Sequence, residues 1–303
     1  MHDTENKKSF SRKVKREIYR VEVPDMCCTK ARFKGLMLLG AAVISKTEIR
    51  LQSDNPDVIG SFAELSRKLG IESYISRNGD KNGKYSAAIS DSVKVAQLLY
   101  DLKMLNSDGG IIHRVGELEK LCCKREFLRG AFLGAGAVSD PNKNYALEIS
   151  APTEALCGDI LSLFKDFNFT LQQTSRKKKH VAYVKNSEVI EDILALLGAC
   201  SSQMELINIK IEKEIRNDAN RNANGETSNL SRTINASVEQ IRAIHKIRDT
   251  IGLDSLPEDL REIARLRLEY KDSSLTELGK RLNPPLTKSG VNHRLKKIIN
   301  IAK

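Results

Sequence analysis

Phe33-Lys34-Gly35-Leu36-Met37-Leu38-Leu39-Gly40-Ala41 returns 95 residues later as Leu128-Arg129-Gly130-Ala131-Phe132-Leu133-Gly134-Ala135-Gly136. Both stretches are apolar and helix-like, yet both carry glycine and alanine where a surface helix would carry Glu, Lys or Gln. Glycine inside a helix costs about 1 kcal/mol relative to alanine, so this density needs a packing reason. Side-chain size at a contact sets the distance between two helix axes, and small residues let the backbones touch. The two stretches therefore read as central helices that meet tightly. Around them Cys27-Cys28 pairs with Cys122-Cys123, Gly35 with Gly130, Leu38 with Leu133 and Ala42-Val43 with Ala137-Val138, all at the same offset. A fixed offset marks a duplicated unit.

Outward from each helix the same elements follow in the same order. A strand (about 47–52; 144–150), an amphipathic helix (56–69; 152–167), two strands and a further helix give an αββαββα-like repeat, about 20–105 and about 120–205. Gly79-Asp80-Lys81-Asn82-Gly83 and Arg176-Lys177-Lys178-Lys179-His180 fall at equivalent hairpin tips. The second is strongly basic, but a charge run on a hairpin is more often solvated than a phosphate grip.

Over residues 20–205 the pattern resembles the LAGLIDADG homing endonucleases, whose two motif helices pack side by side. In that family each motif helix ends in an acid, and the pair holds divalent metal for phosphodiester hydrolysis. The resemblance puts those acid positions on Gly40 and Ala135, and an earlier motif acid on Leu38 and Leu133. Magnesium needs hard oxygen ligands, which these side chains lack. Glu48 and Asp140 follow in sequence but read as surface and turn acids, since Ser139-Asp140-Pro141-Asn142 is turn-like. The expectation is a degenerate domain with no catalytic residues, no metal and no cofactor; a metal-dependent endonuclease is the enzyme alternative.

Composition agrees with a nucleic-acid partner. The 303 residues carry a formal net charge of +11, which favours phosphate-rich ligands. Residues 280–303 contain seven Lys or Arg and no acid, more than half of that excess. The longest apolar run, Gly35 to Ser45, is far short of the roughly 20 residues that span a bilayer, so it reads as a core helix and no membrane partner is expected. The six cysteines occur as adjacent pairs and singles without a CxxC pattern. Vicinal pairs make poor disulfides and poor zinc sites, and with no signal peptide they read as buried thiols of a reducing cytosol.

The C-terminal third reads as all-helical. Met204, Ile207, Ile211 and Ile215 lie on one face of a polar helical segment from Ser201 to about Asn224, so that the two-repeat domain (1–205) is followed by a linker helix (206–225); the small polar run from Ala223 to Asn229 reads as a joint before the C-terminal domain (226–303). A helix from Ala236 to Ile251, with a half-buried His245, stops at Gly252; Pro257, Glu258 and Asp259 open the next. Ser274-Leu275-Thr276-Glu277 is a capping box, Leu278 and Leu282 face inward, and Pro284-Pro285 ends the short helix. Thr287 then caps a last helix whose Val291, Leu295, Ile298 and Ile299 cluster on one side. Its other side offers Lys288, Ser289, Asn292, His293, Arg294, Lys296 and Lys297: polar groups suited to base edges near the start, cations suited to phosphates further on. Helix, short turn and acid-free basic helix point to a helix-turn-helix DNA-binding domain.

The run from Ser274 to Leu278, with Asn283-Pro284-Pro285-Leu286-Thr287-Lys288-Ser289-Gly290-Val291-Asn292-His293-Arg294-Leu295, resembles the C-terminal signature of the WhiA family of bacterial regulators. That family joins a degenerate LAGLIDADG-like domain to a helix-turn-helix, so the resemblance covers nearly the whole chain. It implies an α+β, pseudo-symmetric two-repeat domain followed by an all-α domain. It also implies promoter binding as double-stranded DNA, a sigma factor of RNA polymerase as partner in sporulating lineages, and a cytoplasmic, nucleoid-associated role in cell division or sporulation. An adaptor acting mainly through protein contacts is the further alternative.

Overall fold

The computed structural model describes residues 9–77, 84–176 and 179–303. By internal contacts the chain divides into two units, Met1–Glu212 and Lys213–Lys303. In the first, α1 (Phe10–Arg20) precedes two repeats of one order. The first repeat runs α2 (Met26–Gly40), β1 (Ala41–Ile44), β2 (Ile49–Ser53), α3 (Pro56–Lys68), β3 (Tyr74–Arg77), β4 (Tyr85–Ile89) and α4 (Ser92–Asp101). The second runs α5 (Leu121–Ala135), β5 (Gly136–Val138), β6 (Leu147–Ala151), α6 (Glu154–Lys165), β7 (Gln172–Arg176), β8 (Lys179–Val184) and α7 (Ser187–Leu197). This is the αββαββα order expected, with one correction: the apolar run after Gly35 is helix only to Gly40, and Ala41–Ile44 is a strand.

Each repeat folds its strands into a four-stranded antiparallel sheet, ordered β1-β2-β4-β3 and β5-β6-β8-β7. The registers correspond, Leu51 opposite Ala87 in one sheet and Ile149 opposite Ala182 in the other. All four of these residues are buried and share one core with Phe33, Phe62, Phe127, Phe132 and Phe164.

The centre of that core is the crossing of α2 and α5, and its glycines have no room for a side chain. A Cβ at Gly35 would sit 2.2 Å from the Phe127 carbonyl oxygen, and one at Gly130 1.9 Å from that of Arg32. The crossing also buries charge. Glu126, 2% exposed, accepts from Arg32 Nε at 2.5 Å and from Arg129 Nη1 at 2.5 Å. Each arginine also donates to a carbonyl, Arg32 to Val21 at 2.7 Å and Arg129 to Leu197 at 3.0 Å. Buried charges persist only when paired and hydrogen-bonded in this way. Burial nonetheless holds the Arg129 guanidinium below its ordinary range.

One element lies outside the repeats read from the sequence, and another departs from expectation. The basic N-terminal stretch contains α1, whose Phe10, Val14 and Ile18 are buried at helical spacing. Its Glu17 accepts from the amides of Ser201 and Ser202 at 2.8 and 3.0 Å, satisfying the start of the next helix. That helix, α8, is continuous from Cys200 to Thr250. The run Ala223–Asn229, expected as a joint, is helical within it. Of the residues read on one face of the linker helix, Met204, Ile211 and Ile215 are exposed, and the neighbouring Leu206 is buried instead. Among the cysteines, Cys28, Cys123 and Cys157 are buried as expected; Cys27 and Cys122 are half-buried and Cys200 is exposed.

Candidate nucleic-acid interface

In the second unit α8 ends at Thr250, and Gly252 at φ 79° breaks it. A 3-10 turn (Leu253–Ser255) leads to α9 (Glu258–Glu269), α10 (Leu275–Arg281) and α11 (Lys288–Ile301). These pack around Ile244, Ile247, Leu260, Ile263, Leu278, Leu282, Val291, Leu295 and Ile298, all buried. His245 is half-buried beside them, as read.

The capping box of α10 forms in full: the Glu277 amide donates to Ser274 Oγ at 3.3 Å and the Ser274 amide to Glu277 Oε2 at 2.8 Å. The Ser274 amide holds the Glu277 carboxyl below its ordinary range. Pro284 and Pro285 follow the end of the helix, and the chain returns so closely that the Leu286 amide donates to the Gly279 carbonyl at 2.9 Å. A Cβ at Gly279 would lie 2.2 Å from the Leu286 oxygen, so this turn requires glycine there. Thr287 then caps α11, its Oγ1 accepting from the Gly290 amide at 3.3 Å.

Val291 and Leu295 anchor α11 inward, leaving Lys288, Ser289, His293, Lys296 and Lys297 exposed and Asn292 half-exposed. At 100° per residue, Ser289, Asn292, His293, Lys296 and Lys297 share an arc of about 140° opposite the core. Arg294 lies outside it. Its side chain turns to the start of α9, Nε 3.6 Å from Asp259 Oδ2 and Nη1 donating to the Asp259 carbonyl at 3.3 Å. Six of the seven residues expected to meet DNA thus form or flank one open face, and the seventh ties two helices together.

Sequence reading assigned no role to two positioning residues. Gly279 is one. Arg267, 3% exposed, is the other: Nε donates to Gln240 Oε1 at 3.0 Å and Nη1 to the Ser273 carbonyl at 2.7 Å, joining α8, α9 and the segment before α10. A charged residue on an otherwise apolar helix face was the only sequence signal for it.

In the first unit Gly40 and Ala135 are the last residues of α2 and α5, at matching ends of the crossing. Glu48 is paired with Arg50 (2.8 Å to Nε). Asp140 accepts from the Asn142 amide at 3.0 Å within its turn. Arg176 lies 3.7 Å from Glu148. Lys177 and Lys178, and the Gly79–Gly83 loop, lie outside the described residues. No described helix is long and apolar enough to cross a membrane.

Comparison with known proteins matches residues 219–302 to the WhiA C-terminal HTH domain and 124–216 to the WhiA LAGLIDADG-like domain. The chain is 38% identical to the probable cell division protein WhiA of Alkaliphilus metalliredigens, over 97% of each chain. It is 40% identical to the protein of the same name in Ruminiclostridium cellulolyticum, again over 97% of each. Among solved structures, full-length DUF199/WhiA from Thermotoga maritima superposes with a TM-score of 0.62 at 27% identity, over 97% of this chain and 98% of that one.

Proposed function

The chain belongs to the WhiA family, and on that footing we propose that it is a DNA-binding transcription regulator of bacterial cell division or sporulation, and not a nuclease. The observation that carries the reading is the open, acid-free face of α11 behind a capped turn. Laid in the major groove, Ser289, Asn292 and His293 reach base edges, asparagine being suited to adenine. Lys288, Lys296 and Lys297 neutralise phosphates. Arg294 sets the angle between α11 and α9 instead of reading a base. The two-repeat domain has glycine and alanine where metal-binding acids would be needed, so it contributes protein contacts or added DNA surface. Double-stranded promoter DNA is the ligand, a sigma factor of RNA polymerase the protein partner, and the nucleoid in the cytoplasm the place of action.

The test is salt-dependent promoter binding by the full chain. Lys297→Ala should weaken binding similarly on specific and unrelated DNA and reduce the slope of log K against log salt by about 1. An unchanged slope, or full affinity after deletion of residues 226–303, overturns the proposal for α11. Incubation with bound DNA and Mg²⁺ should leave both strands intact; site-specific nicking overturns the non-enzymatic part.

A further inference from the structure

The first turns of α2 and α5 each carry a vicinal cysteine pair, Cys27-Cys28 and Cys122-Cys123. Read one at a time, such pairs are poor chelates, because adjacent helical side chains diverge by about 100°. The crossing brings the two pairs to one place. The Sγ atoms of Cys27, Cys28 and Cys123 all lie within 4.8 Å of one another, and Cys122 is close enough to Cys28 for the two thiols to influence each other. The arrangement follows the repeat: Cys27 meets Cys123 as Cys122 meets Cys28, and Cys28 meets Cys123 between them.

We propose that this cluster binds a thiophilic cation, zinc(II), through Cys27, Cys28 and Cys123 as thiolates, with Cys122 the donor at hand for a fourth position. Zinc–sulfur bonds of about 2.3 Å in a tetrahedron place sulfurs about 3.8 Å apart. The observed sulfurs need approach by only about 1 Å, which small side-chain rotations supply. Burial pushes the Cys28 and Cys123 thiols up, Cys123 to about 11, so the cluster keeps its protons until a cation displaces them, and the helix ends then favour the bound thiolates. Two helix N-termini meet there, neither N-cap side chain (Asp25, Lys120) bonds a helix amide, and neither first turn contains an acid. Free amides and aligned dipoles at such ends stabilise thiolates. A cavity of about 300 Å³ opens on Cys27 and Cys123, its wall mixing Asp101, Glu117 and Glu119 with four lysines, and gives solvent a path to the sulfurs. Each thiol that becomes a ligand releases its proton to solvent.

This site is separate from the endonuclease-like acid positions, which lie at the other ends of the same helices, about 20 Å away at 1.5 Å per residue. Zinc here would join the first turns of the two repeats.

The full-length protein, kept reduced and purified without chelator, should contain about one zinc per chain by plasma mass spectrometry. Replacement by Co²⁺ should give a sulfur-to-cobalt charge-transfer band that Cys123→Ser diminishes and Cys200→Ser leaves intact. Folded, reduced protein that binds neither ion, or a band indifferent to Cys123, overturns the proposal. Should Cys123→Ser fail to fold, the wild-type chain decides. Zinc should slow iodoacetamide labelling of Cys27, read by peptide mass spectrometry, while Cys200 labels at its former rate; equal labelling of Cys27 with and without zinc overturns the site.

Discussion

At the scale of single residues, the strongest demands come from atoms with nowhere to go. Gly130→Ala puts a methyl group 1.9 Å from the Arg32 carbonyl oxygen, and that oxygen belongs to helix backbone. Overpacking usually costs about 1–3 kcal/mol; against backbone the loss should reach about 3 kcal/mol in denaturant unfolding, whereas Gly158→Ala, with open space around it, should not destabilise. Lys34 supplies a pH signature. Only 5% exposed and donating to the Leu102 carbonyl at 2.9 Å, its ammonium is pushed by burial from 10.5 down to about 8. Between those values the unfolded chain holds the proton and the folded chain does not, so this group makes stability rise with pH. Lys34→Met should therefore flatten stability against pH between about 8 and 10 by about 1.4 kcal/mol per unit, whatever it does to the absolute value. An unaltered slope would place the Lys34 proton elsewhere.

Among elements, short-range signals were the legible ones. Ser274, Glu277, Pro284 and Pro285 act within a few residues of themselves, so the boundaries of α10 and the start of α11 could be read directly. Ser274→Ala should cost about 1 kcal/mol, seen as a lower melting temperature, with secondary structure retained below it. The repeat order was legible because duplication presents each element twice. What escaped depended on distant partners or on none. The fit of Glu126 between Arg32 and Arg129, and the turn of Arg294 toward Asp259, join residues that composition cannot relate. The strand Ala41–Ile44 shares one apolar run with α2, so no break in hydropathy separates them. The middle of α8 misled in the other direction. Gly225 and the asparagines around it have the composition of a joint, yet a Cβ at Gly225 would meet nothing within 4 Å, so no packing requirement put glycine there.

For the molecule as a whole, the two ends of one helix crossing carry different chemistry, and the C-terminal tail carries most of the net charge. At the end where α2 and α5 finish, the Gly40 position is closed by backbone. A Cβ at Gly40 would lie 2.7 Å from the Gly134 Cα and 3.0 Å from Leu51 Cδ1. Placing carboxylates there with Gly40→Asp and Ala135→Asp in the full chain is therefore expected to lower its melting temperature without producing Mg²⁺-dependent cleavage of bound DNA; cleavage would show that the crossing can open. The fit at Gly40 thus acts as a latch: a side chain there must part the backbones of α2 and α5 or displace Leu51, so a single substitution at the seam loosens the join between the two repeats.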